Sequence, residues 1–137
     1  MHLEPLASDY TMLSDSSDAQ RLDYFLLRAF EADEIWGLRE GSHWFSRVVP
    51  EVGQRALPLW PYRKMARDAA LDIWQDCRVD GTALEYFLQH EMPKLIAEEV
   101  LIDIIPRDDQ PGCLIPPTQL ASIIEGMMDA GEYRLDG

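Results

Sequence analysis

The sequence predicts a single α+β domain, a mostly antiparallel sheet of about five strands from two hairpins covered by about four helices. Three observations predict it. Apolar residues recur at helical spacing over 22–30, 84–96 and 120–128. Short runs rich in β-branched and aromatic residues stand between those helices, bounded by Gly, Pro and Asp. An apolar fraction of 47% over 137 residues is enough to bury a core without disulfides or a metal.

Residues 1–16 carry Pro5, several Ser and Asp, and no clear period, so they read as an acidic N-terminal arm docked in part through Leu3, Leu6, Met12 and Leu13. The domain itself spans 17–131, and 132–137 form a C-terminal tail. Ser17 to Gln20 fits a capping box, and Leu22, Phe25, Leu26, Ala29 and Phe30 make one stripe, which predicts a helix over 18–32. Ile35–Leu38 and His43–Val49, parted by the turn Glu40-Gly41-Ser42, predict an antiparallel hairpin. A third extended segment, Ala56–Trp60, contains Pro58, which cannot donate to a ladder and so predicts an edge or irregular strand.

Pro61 suits the first turn of a helix that buries Tyr62, Met65, Ala69, Ile73 and Trp74. Asp80-Gly81 predicts a turn, and Thr82 to Glu85 a second capping box. The helix that follows holds Pro93, which should kink it near Glu91 and Met92. Val100–Ile105 and Cys113–Ile115 predict a second hairpin across the Asp108-Asp109 turn, and a last helix runs from Pro116-Pro117 to a Gly131 stop. Leu22-Asp23-Tyr24-Phe25-Leu26 and Leu84-Glu85-Tyr86-Phe87-Leu88 differ only by Asp for Glu, and each opens an α-β-β-α order. That echo reads either as an internal repeat or as a chance match of two helix faces.

Net charge narrows the function classes. The chain carries −13, yet 39–67 alone carries six basic and two acidic residues. An acidic exterior repels nucleic acid and anionic membrane and favours a basic protein partner, or serves solubility alone. No stretch approaches the ~18 apolar residues of a membrane span. The N-terminus has no basic region or sustained apolar run of a signal peptide. With Cys77 and Cys113 read as free thiols, the expected compartment is the cytoplasm. Nothing in the pattern sets an oligomeric state.

No chemical signature stands out. His90-Glu91 begins like a zinc-protease helix, but Lys94 occupies the second ligand position. No phosphate loop, nucleophile elbow or Cys/His cluster with metal spacing is present, and no cofactor is implied. The acidic pairs are numerous enough to arise without purpose, and Asp is a turn former in its own right. The reading therefore leans away from an enzyme. The one constellation to follow is a basic, aromatic strip. Its candidate anion- or partner-binding residues are His43, Arg47, Tyr62, Arg63, Lys64 and Arg67, with Arg39 and Arg55 beside them. Arg63, Lys64 and Arg67 oppose the dipole of their helix, which calls for an acidic partner within the molecule or a bound anion.

The landmarks Glu34-Ile35-Trp36-Gly37-Leu38, His43-Trp44 and Leu57-Pro58-Leu59-Trp60-Pro61 resemble a family of small bacterial proteins known only as a domain of unknown function. The similarity extends over about 20–130, leaves the arm outside, and implies fold and bacterial context but no activity or cofactor. Two readings of function follow. The leading one is a non-enzymatic protein that docks a basic protein partner, for example as an immunity- or antitoxin-type inhibitor. The other is a small-molecule or anion-binding regulator that uses the strip 39–67 beside Trp44 and Trp60; an enzyme with a converged site is a weaker third.

Overall fold

The computed structural model describes residues 5–70, 77–107 and 111–130. It is an α+β fold, and most of the predicted elements are in place. Helix α2 (Asp18–Ala32) opens on Ser17, whose Oγ accepts the Gln20 N–H at 3.2 Å while Gln20 Oε1 accepts the Ser17 N–H at 2.8 Å. Two backbone donors at the helix start are thereby satisfied. Asp33 ends the helix in the left-handed region at φ 58°, a conformation that its short polar side chain tolerates.

Strand β1 (Glu34–Glu40) turns through Gly41 into β2 (His43–Trp44), with Arg39 opposite Trp44. Strand β3 (Arg47–Val49) then leaves β1 and forms a second hairpin with β4 (Gln54–Leu59). After α3 (Arg63–Ala70) and β5 (Arg78–Ala83), a continuous helix α4 covers 84–97. Strands β6 (Leu101–Ile104) and β7 (Cys113–Ile115) pair antiparallel, and α5 (Pro117–Ala130) follows. The predicted Gly131 stop, the tail 132–137, Ile73 and Trp74, and the Asp108-Asp109 turn lie outside the described residues.

The strands number seven among the described residues rather than about five, and they form two sheets rather than one, ordered β2-β1-β5 and β3-β4-β6-β7. Four of the five strand pairings are antiparallel; β4 with β6 is the parallel one. Two residues account for the difference. The first is Gly81. Asp80-Gly81 is not a turn but lies inside β5, with Gly81 opposite Trp36. A Cβ at Gly81 would sit 2.7 Å from the Trp36 ring, so glycine is there to let an indole lie flat across the strand. Thr82, pairing with Ile35, is thereby withdrawn from its expected capping role, and the Leu84 N–H that opens α4 donates to the Asp33 carbonyl at 3.3 Å.

The second is Pro58. Trp36 and Trp60 exchange both backbone hydrogen bonds at 2.8 Å, an antiparallel bridge that joins β1 to the end of β4. The next such pair in that register would set Leu38 against Pro58, which has no N–H. The Leu38 carbonyl accepts from Phe45 instead, at 2.7 Å. One edge of β1 is thus shared between Trp60 and β2, and the two sheets never fuse. The edge character expected of Pro58 is local, because β3 pairs only with 54–56 and leaves the rest of β4 uncovered on that side.

Pro93 acts as predicted, in a particular form. Phe87–Glu91 is a π-helical turn between the α-helical Leu84–Tyr86 and Met92–Ala97, and the Met92 N–H reaches back to the Phe87 carbonyl. The wider turn absorbs the bond that the imide nitrogen cannot make. The two echo segments are seated differently: Tyr24 is buried in α2, while its counterpart Tyr86 is exposed on α4. The arm contains a helix, α1 (Ala7–Ser14), that no period foretold, since only Leu13 of it is buried. Polar contacts dock it instead. Tyr24 Oη donates to Asp9 and Tyr10 Oη to Asp68, each at 3.0 Å, and Arg107 Nη2 donates to the Ser16 carbonyl at 3.1 Å. The core of Phe25, Leu59, Phe87, Ile102, Ile104 and Leu120 lies between the helices and β4–β6.

The close approach of Trp36 yields a first prediction. Gly81→Ala should lose about 1–3 kcal/mol, the usual cost of forcing atoms into packed space, read as a lower urea midpoint. An unchanged or raised midpoint contradicts the account of β5.

Candidate functional site

The structure does not gather the predicted basic strip into one site. Tyr62 is buried among core residues, and burial pushes its hydroxyl pKa up. Arg47 reaches across the sheet to Asp103, Nη2 to Oδ2 at 3.5 Å. On α3, Lys64 pairs with Asp68 at 3.2 Å, an acidic partner within the molecule, and sits over the Tyr10 ring. Arg63 and Arg67 are exposed and make no ion pair with another described residue. Neither of the two concavities described below is lined by Arg63, Lys64 or Arg67.

The remaining part of the strip lines a groove of about 640 Å³ between the β1–β2 hairpin, β4 and α4. Arg39 lies over the Trp44 indole, its Cζ 3.9 Å from the ring centroid, with Nε on Asp80 at 2.9 Å. Arg55 is held by both the hydroxyl and the carbonyl of Ser46, and His43 stands at the rim. Glu91 and Lys94 of α4 and Glu98 just after it also line the groove, which therefore carries both signs of charge.

A second concavity, a cleft of about 450 Å³, opens beside Trp60. Its walls come from α1, α3 and the turn 105–107, and its two cations are Arg21 and Arg107. Arg21 projects from the buried face of α2 and is only 4% exposed. Its Nε donates to the Ile105 carbonyl at 2.7 Å, and Nη1 donates to the Leu13 carbonyl and to Ser16 Oγ. Burial, then the nearby Arg107 cation, lowers its pKa, with Asp103 and Asp18 acting the other way. Arg107 is itself held by the carbonyls of Pro111 and Ser16. Ile105 completes the wall at φ 49°, a left-handed conformation costly for a β-branched residue. Its N–H donates to the Leu59 carbonyl at 2.9 Å.

Sequence reasoning missed Arg21 and Arg107. The available signal was Arg21 four residues before Phe25, a cation on an otherwise apolar stripe; nothing in the sequence couples it to a residue 86 positions on.

Asp103 is fully buried on β6. Its Oδ1 accepts the Gly112 N–H at 2.8 Å, and its Oδ2 faces Arg47. A Cβ at Gly112 would stand 2.1 Å from the Ile104 carbonyl oxygen, so only glycine brings that N–H within reach. Burial raises the Asp103 pKa, and the hydrogen bond from Gly112 and the Arg47 charge offset part of the rise. Cys113 next to it is buried, and burial raises its thiol pKa as well. Among the described residues no group of three His, Cys, Asp or Glu is placed to hold a metal ion, and no helix is long and apolar enough to cross a membrane.

Comparison with known proteins bears out the resemblance to a family known only as a domain of unknown function. A family model described as "Protein of unknown function (DUF2750)" matches residues 22–124, well over half of the chain and without α1. No curated protein matches the chain.

The raised Asp103 pKa sets a direction for stability against pH. The native state holds this proton to a higher pH than the unfolded chain does, so the residue costs stability as pH rises from about 4 through the raised value. Asp103→Asn keeps an acceptor for Gly112 and removes the titration. The wild-type urea midpoint, measured relative to that of the variant, should fall as pH rises through this window. A difference that stays flat or grows contradicts the placement of a buried carboxyl.

Proposed function

The chain belongs to the DUF2750 family, and we propose that it works as a binding protein that docks a basic protein partner on its acidic exterior. The observation that carries this reading is the way the molecule spends its cations. Of the eleven described Lys and Arg residues, eight have a hydrogen-bond or ion-pair partner within the molecule, Arg55 and Lys94 while still exposed: Arg21, Arg28, Arg39, Arg47, Arg55, Lys64, Lys94 and Arg107. Carboxylates set the remaining field. Asp23, Asp33, Glu34 and Glu85 are exposed, as are Glu98 and Glu99 after α4 and Glu125 and Asp129 on α5, which packs against α4. Such a field steers a basic partner over distances near the Debye length, ~8–10 Å at ordinary salt, and weakens as salt rises. Individual exposed ion pairs contribute little, so the partner would be selected by the sum of charges and by shape. The two concavities favour a second reading, ligand binding.

Salt and charge reversal test the docking reading together. The full chain should retain a basic protein from its native host at low salt and release it at high salt. Reversing Glu98, Glu99 and Glu125 to Lys should weaken retention about tenfold or more while the fold, read by circular dichroism, is unchanged. Retention that ignores both salt and reversal, or no retention at low salt, overturns it.

A further inference from the structure

We propose that the cleft between α1, α3 and the turn 105–107 is a binding site for a small organic anion, one carboxylate on an apolar body. The carboxylate would sit on Arg21 and Arg107, and the body would lie over Trp60 and Met65. The proposal is independent of the docking of a protein partner.

The placement of Arg21 is the first argument. A guanidinium has five N–H donors, and Nε and Nη1 account for three of them through Ile105, Leu13 and Ser16. The described residues offer nothing to Nη2, on a side chain 96% buried by its 4% exposure and lining a cleft. Nη2 is not among the buried atoms left without a partner, so its donors open on the cleft, where an anion can take them. Arg107 is the second argument. Two like charges on one wall repel each other, and that repulsion is felt at Arg21. A carboxylate between them would turn it into attraction, and the planar guanidinium fork matches a carboxylate better than a point charge does.

Among the described residues, the nearby acids do not supply that anion. Asp18 is exposed and stands 3.8 Å from Arg107. Asp103 lies in the sheet and is taken up by Gly112 and Arg47. Asp68, the acid in the cleft wall, accepts from Tyr10 and pairs with Lys64.

The remaining walls set the body of the ligand. Leu13, Trp60, Met65, Ile105 and Pro106 are apolar, and about 450 Å³ falls within the ~300–1,000 Å³ usual for small-molecule sites. The strained Ile105 belongs to the same construction. Its left-handed backbone aims the carbonyl at Arg21 and the N–H at Leu59, and so fixes the cation in the cleft wall. Energetically unfavourable backbone held by its surroundings is characteristic of ligand sites. The groove by Trp44 also holds a buried donor without a partner, Trp44 Nε1, but it is uncharged and the walls carry both signs of charge; the exposed Arg63 and Arg67 have only a helix terminus behind them.

Chemical-shift titration of the full chain with three probes separates the alternatives. Phenylacetate has both head and body, acetate the head alone, and phenylacetamide the same body without charge. Phenylacetate should shift the backbone signals of Leu13, Trp60 and Ile105 and bind at least about tenfold more tightly than either other probe. Arg107→Gln, which spares the contacts docking α1 through Arg21, should weaken phenylacetate about tenfold or more. Acetate binding as tightly means a bare ion site, phenylacetamide binding as tightly means a charge-blind apolar hole, and no shift at the cleft means no site; each overturns the proposal. The probe comparison needs no variant, so it stands even if Arg107→Gln fails to fold.

Discussion

The bridge between Trp36 and Trp60 is the constraint on which the other parts of the fold depend. It joins the three-stranded and four-stranded sheets at a single residue pair, and Pro58 allows it to be no longer than that. Trp60 is placed by its backbone rather than by packing alone, and just before it the Leu59 carbonyl receives the Ile105 N–H. The end of β4 therefore holds two things at once: the neighbouring sheet through Trp60 and the strained turn after β6 through Leu59. The floor and one wall of the cleft are by-products of that arrangement. On the far side of β1, Gly81 lets the Trp36 ring lie across β5, so the same tryptophan anchors both edges of the strand.

Much of this was legible in the residues. Helix α2 follows from Ser17, Gln20 and the stripe to Phe30 because capping and amphipathic spacing are local, and both survive in the fold. The β6–β7 hairpin and the disturbance at Pro93 were legible for the same reason, although a π turn rather than a simple kink absorbs the proline. What was not legible depends on distant partners. Asp80-Gly81 is a turn by local chemistry, and only the Trp36 ring makes its glycine a strand residue. Pro58 announced an irregular strand, but its part in dividing two sheets needs Leu38 and Phe45 beside it. Helix α1 has no stripe because hydroxyl and carboxylate contacts hold it.

The candidate site divides along the same line. The strip 39–67 is a true feature of the sequence, yet folding sends Arg47 to Asp103, Lys64 to Asp68 and Tyr62 into the core. Charge runs in a sequence give composition, and strand pairing and helix packing then decide which cations meet. Arg21 and Arg107 meet because α2 lies against β6 and β7, a contact that no run of residues encodes. An acidic chain that partners most of its cations within the molecule has two consequences. Carboxylates outnumber cations on the exterior, where Arg55, Arg63, Arg67, Arg78 and Lys94 remain exposed, and the cleft is a place where two cations converge.

The central claim is that the two sheets behave as one unit held at the tryptophan bridge, with the cleft built on it. Native-state amide hydrogen exchange measures this directly. The Trp36 and Trp60 amides should exchange with the slow class of Ile102 and Ile104 in β6, through the same global opening. If they exchange orders of magnitude faster than Ile102 while β6 stays protected, the sheets part locally. The bridge would then not be the element that holds Trp60 in place.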